Sequence, residues 1–151
     1  TTSEVFSIAA ELLSNGANLS KISENIYGSI EFNALTLQSK IIERIVLNEE
    51  LQFAHSIVFQ NDYKDYQVEP EETDFLIDVV RLVKESTVAL LLKEQSDGSF
   101  KGSLRSRGDM DVQKIASIFG GGGHVAASGF SSNQSPEFIL EKIEHEIRKS
   151  I

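Results

Sequence analysis

The chain has 151 residues, of which 40% are hydrophobic and 25% charged, and a formal net charge of −9; this balance predicts a globular chain with one good core, or one domain plus an appendage. So acidic a chain is ill suited to wrap long DNA or RNA, whose affinity comes mainly from phosphate neutralisation by Lys and Arg, and the lack of cysteine excludes disulfides and thiolate metal sites. No apolar run approaches the roughly 20 residues that cross a bilayer, and the first residues lack the layout of a signal peptide, so the expected compartment is the cytoplasm, with no membrane partner.

Thr2 or Ser3 is placed to cap a helix whose apolar positions Val5, Ile8, Ala9, Leu12 and Leu13 recur at helical spacing, closed by Asn15-Gly16. Asn18 or Ser20 starts a second, shorter helix carrying Leu19, Ile22, Ile26 and Tyr27 and ending at Gly28. With no strand beside them, two such helices cannot bury their stripes well, and they read as the end of something that precedes. From Ile30 to about Val46 the apolar spacing predicts a longer amphipathic helix, a connecting spine.

Leu51 to Phe59 alternates with period two and predicts a half-buried strand with Leu51, Phe53, His55, Ile57 and Phe59 on one face. His55 there is expected to be satisfied within the sheet. Asn61 to Val68 is polar, a helical turn or loop. Glu69-Pro70-Glu71-Glu72 predicts the entry of a helix carrying Phe75, Leu76, Val79, Val80 and Val83, and its acids read as capping charge rather than a metal site. Thr87 to Leu92 is continuously apolar, a strand buried on both faces, followed by the turn Gln95-Ser96-Asp97-Gly98. In the return strand Phe100, Gly102 and Leu104 point one way, while Lys101, Ser103, Arg105 and, if the strand persists, Arg107 point the other. Such a face of cations and a hydroxyl is what an anionic ligand needs.

Asp109 or Asp111 caps a helix from Val112 to Phe119 that runs into Gly120-Gly121-Gly122-Gly123-His124. Four glycines in a row cost backbone entropy, so they are best tolerated where the chain takes positive φ or comes very close to something else. The small residues Ala126, Ala127, Ser128 and Gly129 follow. They allow a second short helix, or a tight turn pressed against a ligand or a neighbouring strand, after glycines whose N–H groups suit a phosphate or carboxylate. Ser135-Pro136 starts a terminal helix with the stripe Phe138, Ile139, Leu140, Ile143, Ile147 and Ile151, on which His145 faces solvent.

The glycine run is not a P-loop, since His124-Val125 stands where Lys and Ser or Thr are required, nor a dinucleotide fingerprint, since no βαβ unit surrounds it. There is no serine elbow, and the three histidines lie far apart in sequence. The residues predict no complete active site in this chain.

Taken together, Leu104-Arg105-Ser106-Arg107, Asp111-Val112-Gln113-Lys114-Ile115-Ala116 and the stretch from Phe119 through the glycines and His124 to Gly129 resemble the DHHA1 domain. That domain follows the catalytic domain in DHH-family phosphoesterases, and the match is to the branch of oligoribonucleases, pAp phosphatases and cyclic-di-AMP phosphodiesterases. The resemblance spans about Ile30 to Ile151 and is strongest from Ser99 to Gly129; Ser128 stands where a small residue, often alanine, is usual. It implies an α/β fold, a mixed β-sheet flanked by helices. Residues 1–28 would be the C-terminal tail of the DHH catalytic domain, 29–46 a connecting helix and 47–151 the substrate-binding domain.

The resemblance further implies a pair of manganese ions held by Asp and His in the preceding DHH domain. The triplet that names that domain is absent from this chain, which would hold no cofactor or catalytic residue and hydrolyse nothing alone. Carried over, Arg105, Ser106 and Arg107 contact substrate phosphate or base, Gly121, Gly122 and Gly123 allow close backbone approach, and His124 hydrogen-bonds a phosphate or ribose; Lys101 adds charge on the same strand. The implied partners are a short oligoribonucleotide, pAp or a cyclic dinucleotide, and the missing DHH domain; a homodimer is left open. The alternative is a noncatalytic tRNA-binding module like the related C-terminal domain of alanyl-tRNA synthetases, against which the acidic balance weighs.

Overall fold

The computed structural model describes residues 2–150 and divides into two compact units, one up to Phe32 and one from Asn33 onward. The first unit holds helices α1 (Ser3–Ser14) and α2 (Leu19–Tyr27). Thr2 caps α1 by accepting from the Val5 N–H, and Asn18 caps α2 by accepting from the Lys21 N–H at 3.0 Å. Neither helix buries a residue; Val5, Phe6, Ile8, Leu12, Leu19 and Ile26 all lie exposed.

The second unit begins with α3 (Phe32–Glu43), which is shorter than the predicted spine because the chain turns at Arg44 and extends as β1 (Val46–Asn48). There follow β2 (Phe53–Val58), α4 (Gln60–Tyr66), a single 3-10 turn at Pro70–Thr73, and α5 (Leu76–Val80). The remaining elements are β3 (Val88–Glu94), β4 (Phe100–Ser106), α6 (Val112–Ser117), β5 (Gly122–His124), β6 (Ala127–Ser132) and α7 (Pro136–Ser150). Ile151, placed by its spacing in the terminal stripe, lies outside the described residues.

The six strands form one mixed sheet in the order β1-β2-β3-β4-β6-β5. Only β2 and β3 run parallel, joined by the crossover through α4 and α5; every other neighbour is antiparallel. Alternation along the strands sends side chains to two faces. On one face Phe53, Leu90, Leu104 and Phe130 pack beneath α6 and α7, through Val112, Ile115, Ile139, Ile143 and Ile147. On the other, Ala54, Val58, Ala89 and Leu91 pack against α3, α4 and α5, through Leu37, Ile41, Tyr63, Leu76 and Val80. Helix α3 is thus docked on the sheet.

The two covers differ in extent. Helices α6 and α7 close their face as far as β6. The opposite cluster reaches only β3, so on that face β4, β6 and β5 present Ser103, Arg105, Ala127, Gly129, Gly122 and His124 without a buried layer over them.

Three expectations from periodicity need correction. Strand β2 is buried on both faces, not half-buried, because the parallel crossover lays helices over its second side. The helix expected from Glu69 breaks into the 3-10 turn and the short α5. The segment after the glycines is no helix: it is the hairpin β5–β6, turning at Val125-Ala126. Pairing to β4 at the sheet edge outweighs what little helix propensity the small residues have.

Candidate anion-binding face

The residues that could hold a ligand are laid out by strand register. Arg105 of β4 pairs with Ala127 of β6, which pairs with His124 of β5, so the three share one row and one face. Two strand spacings separate Arg105 from His124, ~10 Å between backbones. The next row on that face is Ser103, Gly129 and Gly122. Ala127 alone thus lies between the guanidinium and the imidazole, and Gly129 and Gly122 add a floor without side chains in the row beside it.

Each glycine of the run has its own reason. Gly120, at φ 73°, ends the turn after α6, where the Gly121 N–H reaches back to the Ala116 carbonyl at 3.0 Å. A Cβ on Gly121 would stand 2.2 Å from the Gly129 carbonyl oxygen, and one on Gly123, at φ 144°, 2.6 Å from that of Ala127. Gly122 meets nothing within 4 Å and needs no positive φ, so nothing inside the protein requires it to be glycine. The hairpin is pinned from the closed face, where the buried Ser128 hydroxyl donates to the His124 carbonyl at 2.8 Å. Serine in place of the usual alanine therefore adds a bond.

The predicted cations separate. Arg105 is half-buried, uses one Nη to donate to the Leu104 carbonyl at 3.0 Å, and makes no ion pair among the described residues. Strand β4 ends at Ser106, so Arg107 turns away from the strand face, and its guanidinium donates to the carbonyls of Arg81 and Val83 at the end of α5. The Ser106 hydroxyl donates to the Met110 carbonyl at 2.7 Å, tying the end of β4 to the loop before α6, while its backbone N–H reaches Ala126 at 3.0 Å. Lys101 points to the same face as Arg105 but lies four residues back along β4, ~13 Å away, opposite Lys93.

A cleft of about 160 Å³ opens where α5 ends beside β3 and β4, lined among others by Arg81, Ser86, Thr87, Arg105, Ser106 and Arg107. Three arginines and no acidic residue line it. Arg81 was not singled out from sequence: a basic residue at a helix C-terminus is ordinary dipole chemistry. It takes the register Ala89–Arg105 to bring the end of α5 beside the return strand. Arg81 is exposed and pairs loosely through Nε with Asp78 at 3.3 Å, which leaves both Nη groups unpaired among the described residues.

His55 lies half-buried on β2, 5.3 Å from the Phe53 ring, with no partner for Nδ1. Burial lowers its pKa from the ordinary 6.5, partly offset by Glu144. It is thus a histidine left unsatisfied at one nitrogen, against expectation. Among the described residues no group of three or more His, Asp and Glu side chains converges as a metal site would require.

A mixed sheet closed by helices on one face, with a cationic strand and a glycine hairpin along the uncovered strip of the other, is an α/β domain with a candidate anion-binding face. The DHHA1 domain matches residues 50–149, and the chain belongs to that family. The chain is 30% identical over 155 residues to the bifunctional oligoribonuclease and PAP phosphatase NrnA of Thermus thermophilus, covering 99% of this chain and 46% of that protein. It is 25% identical to the cyclic-di-AMP phosphodiesterase GdpP of Geobacillus thermodenitrificans, over all of this chain and 21% of that one. Among solved structures, an exopolyphosphatase-related protein from Bacteroides fragilis superposes with a TM-score of 0.88 at 22% identity, over 99% of this chain and 44% of that one. The chain therefore spans less than half the length of these relatives.

Proposed function

We propose that this chain is the substrate-gripping part of a phosphodiesterase or phosphatase that hydrolyses short oligoribonucleotides, pAp or cyclic dinucleotides. The observation that carries the reading is the row Arg105–Ala127–His124 over a floor whose Gly122 no internal contact explains. A phosphate is held by the Arg105 guanidinium in charge-assisted bonds. The bare floor lets a sugar or base lie close against the strand backbone, and His124 closes the far end with a ring hydrogen bond. The relatives' names, an oligoribonuclease and PAP phosphatase and a cyclic-di-AMP phosphodiesterase, give the substrate class. The short span also suits a small nucleotide, since only a few phosphates need neutralising against an overall charge of −9.

In this reading the manganese implied by the resemblance belongs to a DHH domain, whose last helices would be α1 and α2. This chain's share of the work is orientation: it fixes the phosphate and sugar so that the ester is presented in one pose, and a well-oriented reactant can remove a large part of a barrier.

The test is an NMR titration of this chain, without metal, using pAp, a ribodinucleotide, a cyclic dinucleotide and tRNA. Shifts at the amides of Arg105 and of Gly121 to His124 with a small nucleotide are expected. Broadening with tRNA alone would instead favour a noncatalytic tRNA-binding module and overturn the reading.

A further inference from the structure

The arginine cleft allows the cationic residues to be divided by task, which deepens the reading above and rests on it. Three arginines line the cleft, but they are not equally available. Arg107 already donates to the carbonyls of Arg81 and Val83, and its own N–H is bonded to the Thr87 carbonyl at 2.9 Å. Bonded to the C-cap carbonyl of α5 and to the Val83 carbonyl just beyond it, Arg107 holds the end of α5 against β4. Arg81 keeps both Nη groups, and Arg105 its second Nη, without a partner among the described residues. The competing contact of Arg81 is an exposed pair with Asp78, a kind too weak to keep it from a phosphate.

We propose that Arg81 and Arg105 form the subsite for a phosphate group of the substrate, and that Arg107 is a positioning residue that caps α5 and sets Arg81 opposite Arg105. The subsite lies at the Arg105 end of the row, away from the hairpin, so it takes the phosphate remote from His124. The ligand class is a nucleotide with at least one terminal phosphate, whose sugar and base run across the glycine floor. The hydroxyls of Ser86 and Ser106 already donate to the carbonyls of Val83 and Met110. They are acceptors toward the cleft, so the donors to phosphate are the two guanidiniums.

The experiment titrates inorganic phosphate and pAp into this chain and into R81A, R105A, R107A, R107K and R81A/R107A, following backbone amides and arginine Nε–H signals. R81A and R105A are each expected to weaken pAp about ten- to a hundredfold, the size of one lost charge-assisted contact. R107A is expected to weaken it too and to speed hydrogen exchange in α5, with R107K recovering part of both. Because Arg107 acts through Arg81, R81A/R107A should bind no worse than R81A. Additive losses in the double variant would show Arg107 touching the ligand and overturn its positioning role. Unchanged affinity in R81A, with R105A weakened and His124 still shifting, would remove Arg81 from the subsite while leaving the nucleotide reading intact. Phosphate shifts confined to Arg81 and Arg105, with pAp silent at Gly121 to His124, would keep the subsite and overturn the nucleotide reading. Silence with both probes would overturn both.

Discussion

Gly122→Ala separates folding from binding more cleanly than any other change in the glycine run. A Cβ there meets nothing within 4 Å, and the backbone is not in the positive-φ region. Removing a glycine's freedom in the unfolded chain is worth about 0.4–1 kcal/mol where the native backbone accepts alanine. For a chain of this size that raises Tm by roughly 1–4 °C. The neighbours behave oppositely: Gly121→Ala drives a methyl to 2.2 Å from the Gly129 oxygen, and Gly123→Ala adds a forbidden φ of 144°, each costing about 1–3 kcal/mol or more. On the ligand side the new methyl stands on the floor beside His124, in the row next to Arg105 and Ala127. It blocks the close backbone approach and is expected to weaken pAp about tenfold or more, one charge-assisted bond. Thermal melts followed by circular dichroism, with isothermal titration of pAp, give both numbers for one variant. A stable Gly122→Ala protein that binds pAp as wild type would refute the assignment of the floor, and one that melts much earlier would refute the steric reasoning.

Other perturbations probe the scaffold that holds this face. Arg44 grips Asp62 through two guanidinium–carboxylate bonds, one at 2.8 Å, and Asp62 also accepts from the Phe59 N–H at 2.7 Å; Asp62→Ala takes the carboxylate from a half-buried guanidinium and from that N–H, and should cost about 1–3 kcal/mol in urea unfolding. The buried Lys93 ammonium donates to Asp74 at 2.8 Å and holds that carboxyl below its usual range. The resulting stability is fully present above the ordinary Asp pKa of 3.8 and is lost as pH falls through the depressed value, so Asp74→Asn should flatten the acid limb of the curve. His55 works in the same direction at higher pH. Its folded pKa is depressed, so the unfolded chain takes up the proton first, and stability should decline as pH falls below about 6.5 until the folded pKa is passed. His55→Gln should abolish that slope in a Tm-versus-pH series.

Much of this could be read from side-chain order alone, and the failures have a common cause. The caps Thr2, Asn18, Asp111 and Ser135 all act at the predicted helix starts, since capping is decided within four residues. The apolar run of β3 and the alternation of β4 also held, because burial on both faces or one leaves a periodic trace. The hairpin after the glycines left none: Ala127, Ser128 and Gly129 carry no β propensity, and their strand exists because β4 offers a pairing edge. Arg81 was invisible for the same reason, as its place in the cleft depends on a crossover fixed by β2–β3 pairing. Conversely, Lys101 and Arg107 looked like companions of Arg105 from spacing, yet one lies far along the strand and the other is bonded to α5.

The sheet is one residue thick, so along β4 and β6 core positions alternate with positions on the uncovered face. Leu104 lies buried between Ser103 and Arg105, and Ser128 between Ala127 and Gly129. Phe130, the next core position, stacks on Phe119 with ring centroids 4.4 Å apart. It also fills the space a Cβ would need on Gly102 and on Gly121. Core and open face are thus written in interleaved letters, and a change at 103, 105 or 127 edits the open face without touching the core. A descendant of this domain could change the chemistry of that face by rewriting alternate letters, while Phe130 and its two glycines hold the page flat.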